Sequence, residues 1–262
     1  MKAAVIVAAR SSHQQIWAEA FKAGLERHDW RVDIETRYRP AALVVFWGIR
    51  KQAEIAAQLA RRAKVCILER GYLGDRFGWS SVSFGGGLNG RGQFFGPFDD
   101  ASRWNKHFSE LMQPWRDKPD GYALVLGQVP TDMSLRGTNG PDFWKRAQAA
   151  FVRQGFRVKF RPHPLANRYP STAPVPPLED DLAGARFTVA WNSNSTVDAV
   201  LAGIPSVTMD EGAMAWPVTG HALEEPPAPA REAWAHAMAW KQWRVEEMAS
   251  GYCWEMVGGG GV

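Results

Sequence analysis

Two stretches decide how this chain folds: Arg161-Pro162-His163-Pro164, and Trp191-Asn192-Ser193-Asn194-Ser195-Thr196-Val197-Asp198-Ala199-Val200-Leu201-Ala202-Gly203-Ile204-Pro205. The first follows residues 156–160, which read as a strand. The second reads as a strand end, a polar turn and a helix that closes on Gly203 and Pro205. Small hydroxyl residues at a helix N-terminus leave backbone N–H groups to receive an anion, and the macrodipole favours negative charge there. An arginine and a histidine at the end of an adjacent strand add donors to the same anion. The expectation is a phosphate-binding notch built from Arg161, His163, Ser193, Asn194, Ser195 and Thr196. Taken singly, His-Pro after a strand is an ordinary loop and Asn-Ser-Asn-Ser is an ordinary helix cap. Their order and their α/β setting favour the notch.

Around these stretches the second half reads as strand 122–127, helix 141–154, a proline-rich crossing at 167–177, helix 178–183, strand 186–190 and strand 205–209. The first half has strands at 3–8, 31–35, 42–47 and 64–68, with helices from Ile16 to Leu25 and over 51–62. Residues 42–47 are all apolar, as a strand buried on both faces of a parallel sheet must be. Strand and helix alternating at this spacing mean βαβ units. Residues 72–97 break the pattern with Gly, Arg and aromatic residues and read as a long loop, and 114–120 as a linker. A single terminal helix is expected over 230–248, packing back on the first half, before a flexible end at 258–261. The fold expected is α/β: two Rossmann-like αβα domains facing a cleft, 1–116 on the acceptor side and 117–228 binding the nucleotide, with 229–262 crossing back.

The 262 residues are long enough for a full core, and 45% hydrophobic with 22% charged residues excludes a disordered chain. The net charge of +4 permits an anionic partner without demanding one. Cys66 and Cys253 form neither a disulfide framework nor a zinc site, which suits a reducing, cytoplasmic setting. No apolar run reaches membrane-spanning length, and the opening segment lacks an export-signal layout.

The order strand, Arg161-Pro162-His163-Pro164, helix, strand, Ser193-Asn194-Ser195-Thr196, Asp198-Ala199, Gly203-Ile204-Pro205 resembles the donor half of GT-B glycosyltransferases, closest to the bacterial sialyltransferase and Kdo-transferase group with its His-Pro and Ser-rich motifs. The resemblance covers residues 122–212. It implies a nucleotide-sugar donor with His163 facing the leaving phosphate, Ser193, Ser195 and Thr196 holding it, and Asp198 on the ribose, where the group more often carries the longer Glu. In the first half, Leu68-Glu69-Arg70-Gly71-Tyr72 and Leu88-Asn89-Gly90-Arg91 resemble small proteins of tailed phages. That implies a host-cytoplasm setting in which a sugar is placed on a hydroxymethylated pyrimidine of duplex DNA.

Glycosyl transfer needs the departing charge neutralised and the acceptor hydroxyl deprotonated. No Asp-x-Asp metal motif is present, so neither metal nor cofactor is expected. Asp180 and Asp181 are adjacent and read as a helix cap. The base is expected from the first half, from Asp75, Glu69 or His13. A carboxylate serves there if burial raises its pKa. The acceptor side is expected at Arg70, Arg76, Trp79, Asn89 and Arg91, with Phe77, Phe84 and Phe94 interleaved. These residues suit an extruded base or a sugar chain, and equally a solvated rim over packed aromatics. A saccharide-acceptor transferase, a nucleotide-sugar epimerase and a non-catalytic nucleic-acid-binding protein stay open as alternatives.

Overall fold

A computed structural model describes residues 2–166 and 175–258. Most of the proline-rich crossing at 167–177 and the end at 259–262 lie outside the described residues. The chain forms two compact units, Met1–Phe108 with Ala235–Val262, and Ser109–Trp234. Each is a Rossmann-like α/β unit.

In the first unit β1 (Lys2–Val7), β2 (Trp30–Glu35), β3 (Leu43–Trp47) and β4 (Lys64–Arg70) run parallel in the order β2-β1-β3-β4. Helix α1 (Ser12–Glu26) joins β1 to β2 and α2 (Gln52–Ala60) joins β3 to β4. Successive residues of the central strands go to opposite cores. Ala4, Ile6, Leu43 and Val45 pack with Trp17, Phe21 and Leu25 of α1, whereas Val5, Val7, Val44 and Phe46 pack with Ile55 of α2. That is why these strands carry no alternation of apolar and polar residues.

The stretch at 72–97 is not all loop. It contains β5 (Ser80–Phe84), fully buried and antiparallel to β4. Residues Ser102–His107 form α3.

The second unit starts at Ser109, so residues 114–120 belong to it. Gln113 donates its N–H to Leu201 O, and Arg116 to Gly203 O. Gly203 has φ +77°, and a Cβ there would collide with the Pro114 carbonyl, so this end of the helix has to be glycine. Strands β6 (Tyr122–Leu126), β7 (Val158–Arg161), β8 (Ala185–Ala190) and β9 (Ser206–Thr208) form a parallel sheet in the order β7-β6-β8-β9. Helix α4 (Gly140–Arg153), with Asn139 accepting from the Asp142 N–H as its cap, puts Phe143, Trp144, Ala147 and Phe151 on one face of the sheet. Helices α5 (Leu178–Ala183) and α6 (Ser195–Leu201) put Leu182 and Ala199 on the other.

The terminal segment returns to the first unit, broken into α7 (Glu232–Ala239), β10 (Gln242–Trp243), α8 (Val245–Ala249) and α9 (Tyr252–Gly258) instead of one helix. β10 pairs antiparallel with β5 and extends the first sheet to six strands. Arg103 of α3 fixes the break: it donates to Ala239 O and Gln242 O at 2.8 Å and binds both Glu247 oxygens at 2.6 Å.

Candidate functional site

In each sheet the chain steps outward from its first strand and then returns to that strand's other side. The switch therefore lies between β1 and β3 in the first unit and between β6 and β8 in the second. Ligands of open α/β sheets bind beyond the carboxyl ends of the strands at such points.

At the second unit's switch, three strand ends converge in a buried polar network that the sequence reading missed. Gln128 Nε2 donates to Asn192 Oδ1 at 2.8 Å, and the Asn192 N–H donates back to Gln128 Oε1. Asn192 Nδ2 donates to Asp210 Oδ2 at 2.6 Å and to Ser134 O at 2.8 Å. Gln128, Asn192 and Asp210 are all buried. The signal was present: each buried strand is followed within two residues by an amide or acid side chain.

This network holds the Ser193 turn. Ser193 Oγ accepts the Ser195 N–H, and Ser193 O accepts the Thr196 N–H and, at 2.7 Å, its hydroxyl. Thr196 is fully buried. Its hydroxyl therefore builds the turn, leaving the half-buried Asn194 and Ser195 and the backbone of the turn at the strand end. Asp198 lies half-buried in the first turn of α6.

Arg161 ends β7 and His163 follows it on the same sheet edge. Arg161, expected at the phosphate, is buried, and its Nη1 pairs with Asp181 Oδ2 at 2.5 Å. Lys159 takes the other Asp181 oxygen at 2.6 Å. Asp181 is thus the centre of an ion triad and not a cap. Burial alone would raise its carboxyl, but the hydrogen bonds from Lys159 and Arg161 outweigh that and hold it below the usual carboxylate range. His163 is half-buried, and its Nδ1 accepts the Leu165 N–H at 3.1 Å. In the neutral ring that leaves the proton on Nε2. Gly127 makes room for this loop: a Cβ there would lie 3.0 Å from Arg161 O and 3.4 Å from His163 N.

At the first unit's switch, His13 sits in the first turn of α1 and stands edge-on to Trp47 (5.0 Å between centroids), Phe77 (6.3 Å) and Trp17 (6.4 Å). Its Nε2 is enclosed without a hydrogen-bond partner. Burial first, and the nearby Arg70 charge second, push its pKa below the ordinary histidine value, so the ring is neutral at pH 7. Glu69 is the penultimate residue of β4; one carboxylate oxygen would lie 3.1 Å from a Cβ at Gly48, and the other accepts the Arg70 N–H at 2.9 Å. Asp75 is exposed, and its Oδ1 accepts the Phe77 N–H within its own turn, so it lacks the burial a carboxylate base needs.

The acceptor-side residues divide. Arg70 is exposed, with its guanidinium 4.2 Å over the Phe77 ring. Trp79 is buried against Phe108 and flanked by Arg103 and Arg244, so it is core and not platform. Arg76 is half-buried, its carbonyl accepting the Gly71 N–H. Asn89 (φ +53°) and Arg91 form a short 3-10 turn beyond β5, away from the switch. Among the described residues no group of three or more His, Cys, Asp or Glu is placed to hold a metal ion, and no helix is long and apolar enough to cross a membrane.

No protein-family model matches the chain, and no curated protein sequence matches it. Solved structures do. The chain is similar to the β-Kdo 2,4 transferase of Thermosulfurimonas dismutans KpsC, with a TM-score of 0.59 and 17% identity over 92% of this chain and 91% of that one. It is similar to the β-Kdo 2,7 transferase of the same KpsC, with a TM-score of 0.57 and 14% identity over 93% and 92%. The fold is of the GT-B type, with two Rossmann-like units.

Proposed function

We propose that the chain is a metal-independent glycosyltransferase that takes its sugar from a nucleotide donor held at the second unit's switch point. The observation that carries this reading is the buried Gln128–Asn192–Asp210 network, which presents the Ser193 turn on the sheet edge that also bears His163. A buried network of this kind fixes a geometry that a loop alone would not.

The acceptor oxygen attacks the anomeric carbon, the bond from that carbon to the phosphate oxygen breaks, and the electron pair leaves with the phosphate. His163 Nε2–H and the Ser195 hydroxyl stabilise that charge, and Asp198 takes the ribose. Arg161 acts only indirectly, through its pair with Asp181. The hydroxyl proton needs a base; of the first unit's candidates His13 is the neutral one, its pKa lowered by burial and then by Arg70, whereas Asp75 is tied into its own turn. Glu69, the first unit's other carboxylate candidate, accepts the Arg70 N–H at the end of β4.

The acceptor is a saccharide hydroxyl. Of the aromatics expected to interleave with basic residues, Trp79 and Phe84 are buried, Phe94 is half-buried and Phe77 is 61% exposed. One exposed ring suits one sugar, whereas single-strand channels use several stacking platforms. A hydroxymethylated pyrimidine in phage DNA is the rival acceptor, and the net charge of +4 is what favours it.

Nucleotide sugars are expected to raise the melting temperature, and sugar transfer is expected only when a saccharide acceptor is added. Conversion of the donor without acceptor would indicate an epimerase, and salt-sensitive transfer to duplex DNA would indicate the phage reading. His163→Ala should lower kcat by about 10²–10³, the worth of one preorganised donor, with the fold intact. Full activity would remove His163 from the chemistry. Asp198→Ala should weaken donor affinity in calorimetry, and unchanged affinity would end its ribose role.

A further inference from the structure

Several arginines in this chain lie on aromatic rings. Arg103, against Trp243, is neutralised by Glu247, and Arg186, over Phe156, by Glu225. Arg70 is different. Its guanidinium lies 4.2 Å over Phe77, it is exposed, and among the described residues no carboxylate pairs with it. The Glu69 carboxylate beside it takes the Arg70 backbone N–H instead. Phe77, 61% exposed, is among the most exposed large apolar side chains, and Ile16, 55% exposed, sits one turn beyond His13 on α1. An exposed guanidinium seated over a ring without a carboxylate partner keeps donors for solvent, and a guanidinium fork receives a carboxylate or phosphate with two parallel bonds. An exposed ring beside it covers the apolar face of a pyranose.

We propose that Arg70 and Phe77 form a platform for an anionic sugar, with the guanidinium gripping a carboxylate or phosphate on the acceptor and the Phe77 ring supporting its pyranose. This rests on the reading of the first unit as the acceptor side. The platform also couples to His13. The rings of Trp17, Trp47 and Phe77 stand at steep angles around that side chain, and the charged groups at the neighbouring strand end are Arg70 and Glu69. Arg70 is the charge that depresses His13. A bound anion cancels part of that charge, so His13 gains proton affinity once the acceptor is seated and stays a weak base while the platform is empty.

The test uses the full chain carrying His163→Ala, which disables transfer, with histidine-labelled protein followed by NMR across pH. Methyl glucuronide, glucose 6-phosphate, methyl glucoside and a duplex containing hydroxymethylated pyrimidines are titrated in separately. The expected result is that at least one anionic sugar binds about tenfold or more tighter than methyl glucoside and moves the His13 titration to higher pH. Comparing the two anions tells carboxylate from phosphate. Arg70→Gln should abolish both the preference and the shift and leave free His13 titrating higher than in the parent; Phe77→Ala should weaken binding of all three sugars. Equal binding of methyl glucoside, binding of none of the three, survival of the preference in Arg70→Gln, or Arg70-dependent binding of the duplex that displaces the sugars would each overturn the platform. Donor turnover by the unsubstituted protein is scored separately. Its loss with the platform intact would overturn the transferase reading alone.

Discussion

Asp181 is pulled in two directions: burial works against its charge, and Lys159 and Arg161 stabilise it. The cations win, so the carboxyl titrates lower in the folded than in the unfolded chain. Its contribution is present above the unfolded value of about 3.9 and is lost as pH falls through the lower folded value. Asp181→Asn leaves the Arg161 charge buried without its partner and should cost on the order of 3–5 kcal/mol in urea unfolding at pH 7. The gap to the parent should narrow as pH falls below about 4 and the parent's own carboxylate protonates. None of this was legible in the Asp180-Asp181 dipeptide, because the arginine partner lies 20 residues earlier, on another element. His163 and the Ser193 turn were legible as types in order. Thr196 was not, since a hydroxyl that builds a turn and one that binds a ligand look alike in sequence. The Gln128–Asn192–Asp210 network joins three strand ends that are neighbours only in the folded sheet.

Among the elements, the strands that read most clearly are those buried on both faces, such as β3, where five consecutive apolar residues allow little else. β5 was hidden by its serines, which sit in a Gly-rich stretch and are buried by their neighbours and not by their own polarity. β10 is two residues long and owes its existence to pairing with β5. Its apolar spacing with Trp234, Met238 and Val245 matched a helix, and tertiary contacts overrode that period. Arg103 holds this arrangement. Arg103→Met strands Glu247 and leaves two buried carbonyls without a donor. It should cost on the order of 3–5 kcal/mol, and amide exchange should quicken in α8 and α9 while β6–β9 keep their protection. A second element-level test is Gly24→Val. A side chain there would collide with the Met248 carbonyl of α8, so α1 and α8 should separate and lower the melting temperature.

At the scale of the whole molecule, the pattern of two alternating α/β halves was readable from strand and helix spacing. The chain's bookends were not: the second unit begins at Ser109 and ends at Trp234, whereas composition placed the change at the proline-rich 114–120. The second unit is one continuous stretch with cores on both faces of its sheet. Residues 109–234 expressed alone should therefore unfold in a single cooperative transition and keep donor affinity. A chain stopped at residue 234 should keep that transition and lose the first unit's, since Trp243, Met248, Cys253 and Trp254 belong to the first core. Calorimetry of the two fragments would check both outcomes.

That division has a consequence for synthesis. The ribosome delivers β1 to β5 before β6 to β9, yet their sheet lacks β10 and the cover of α8 and α9 until residues 242–258 emerge. The later-made half is the first to have all its parts, so completion runs opposite to translation. Until β10 arrives, the nascent β5 presents an open hydrogen-bonding edge, the feature from which intermolecular strand pairing starts. Yield in a cell should therefore depend on how quickly the tail arrives.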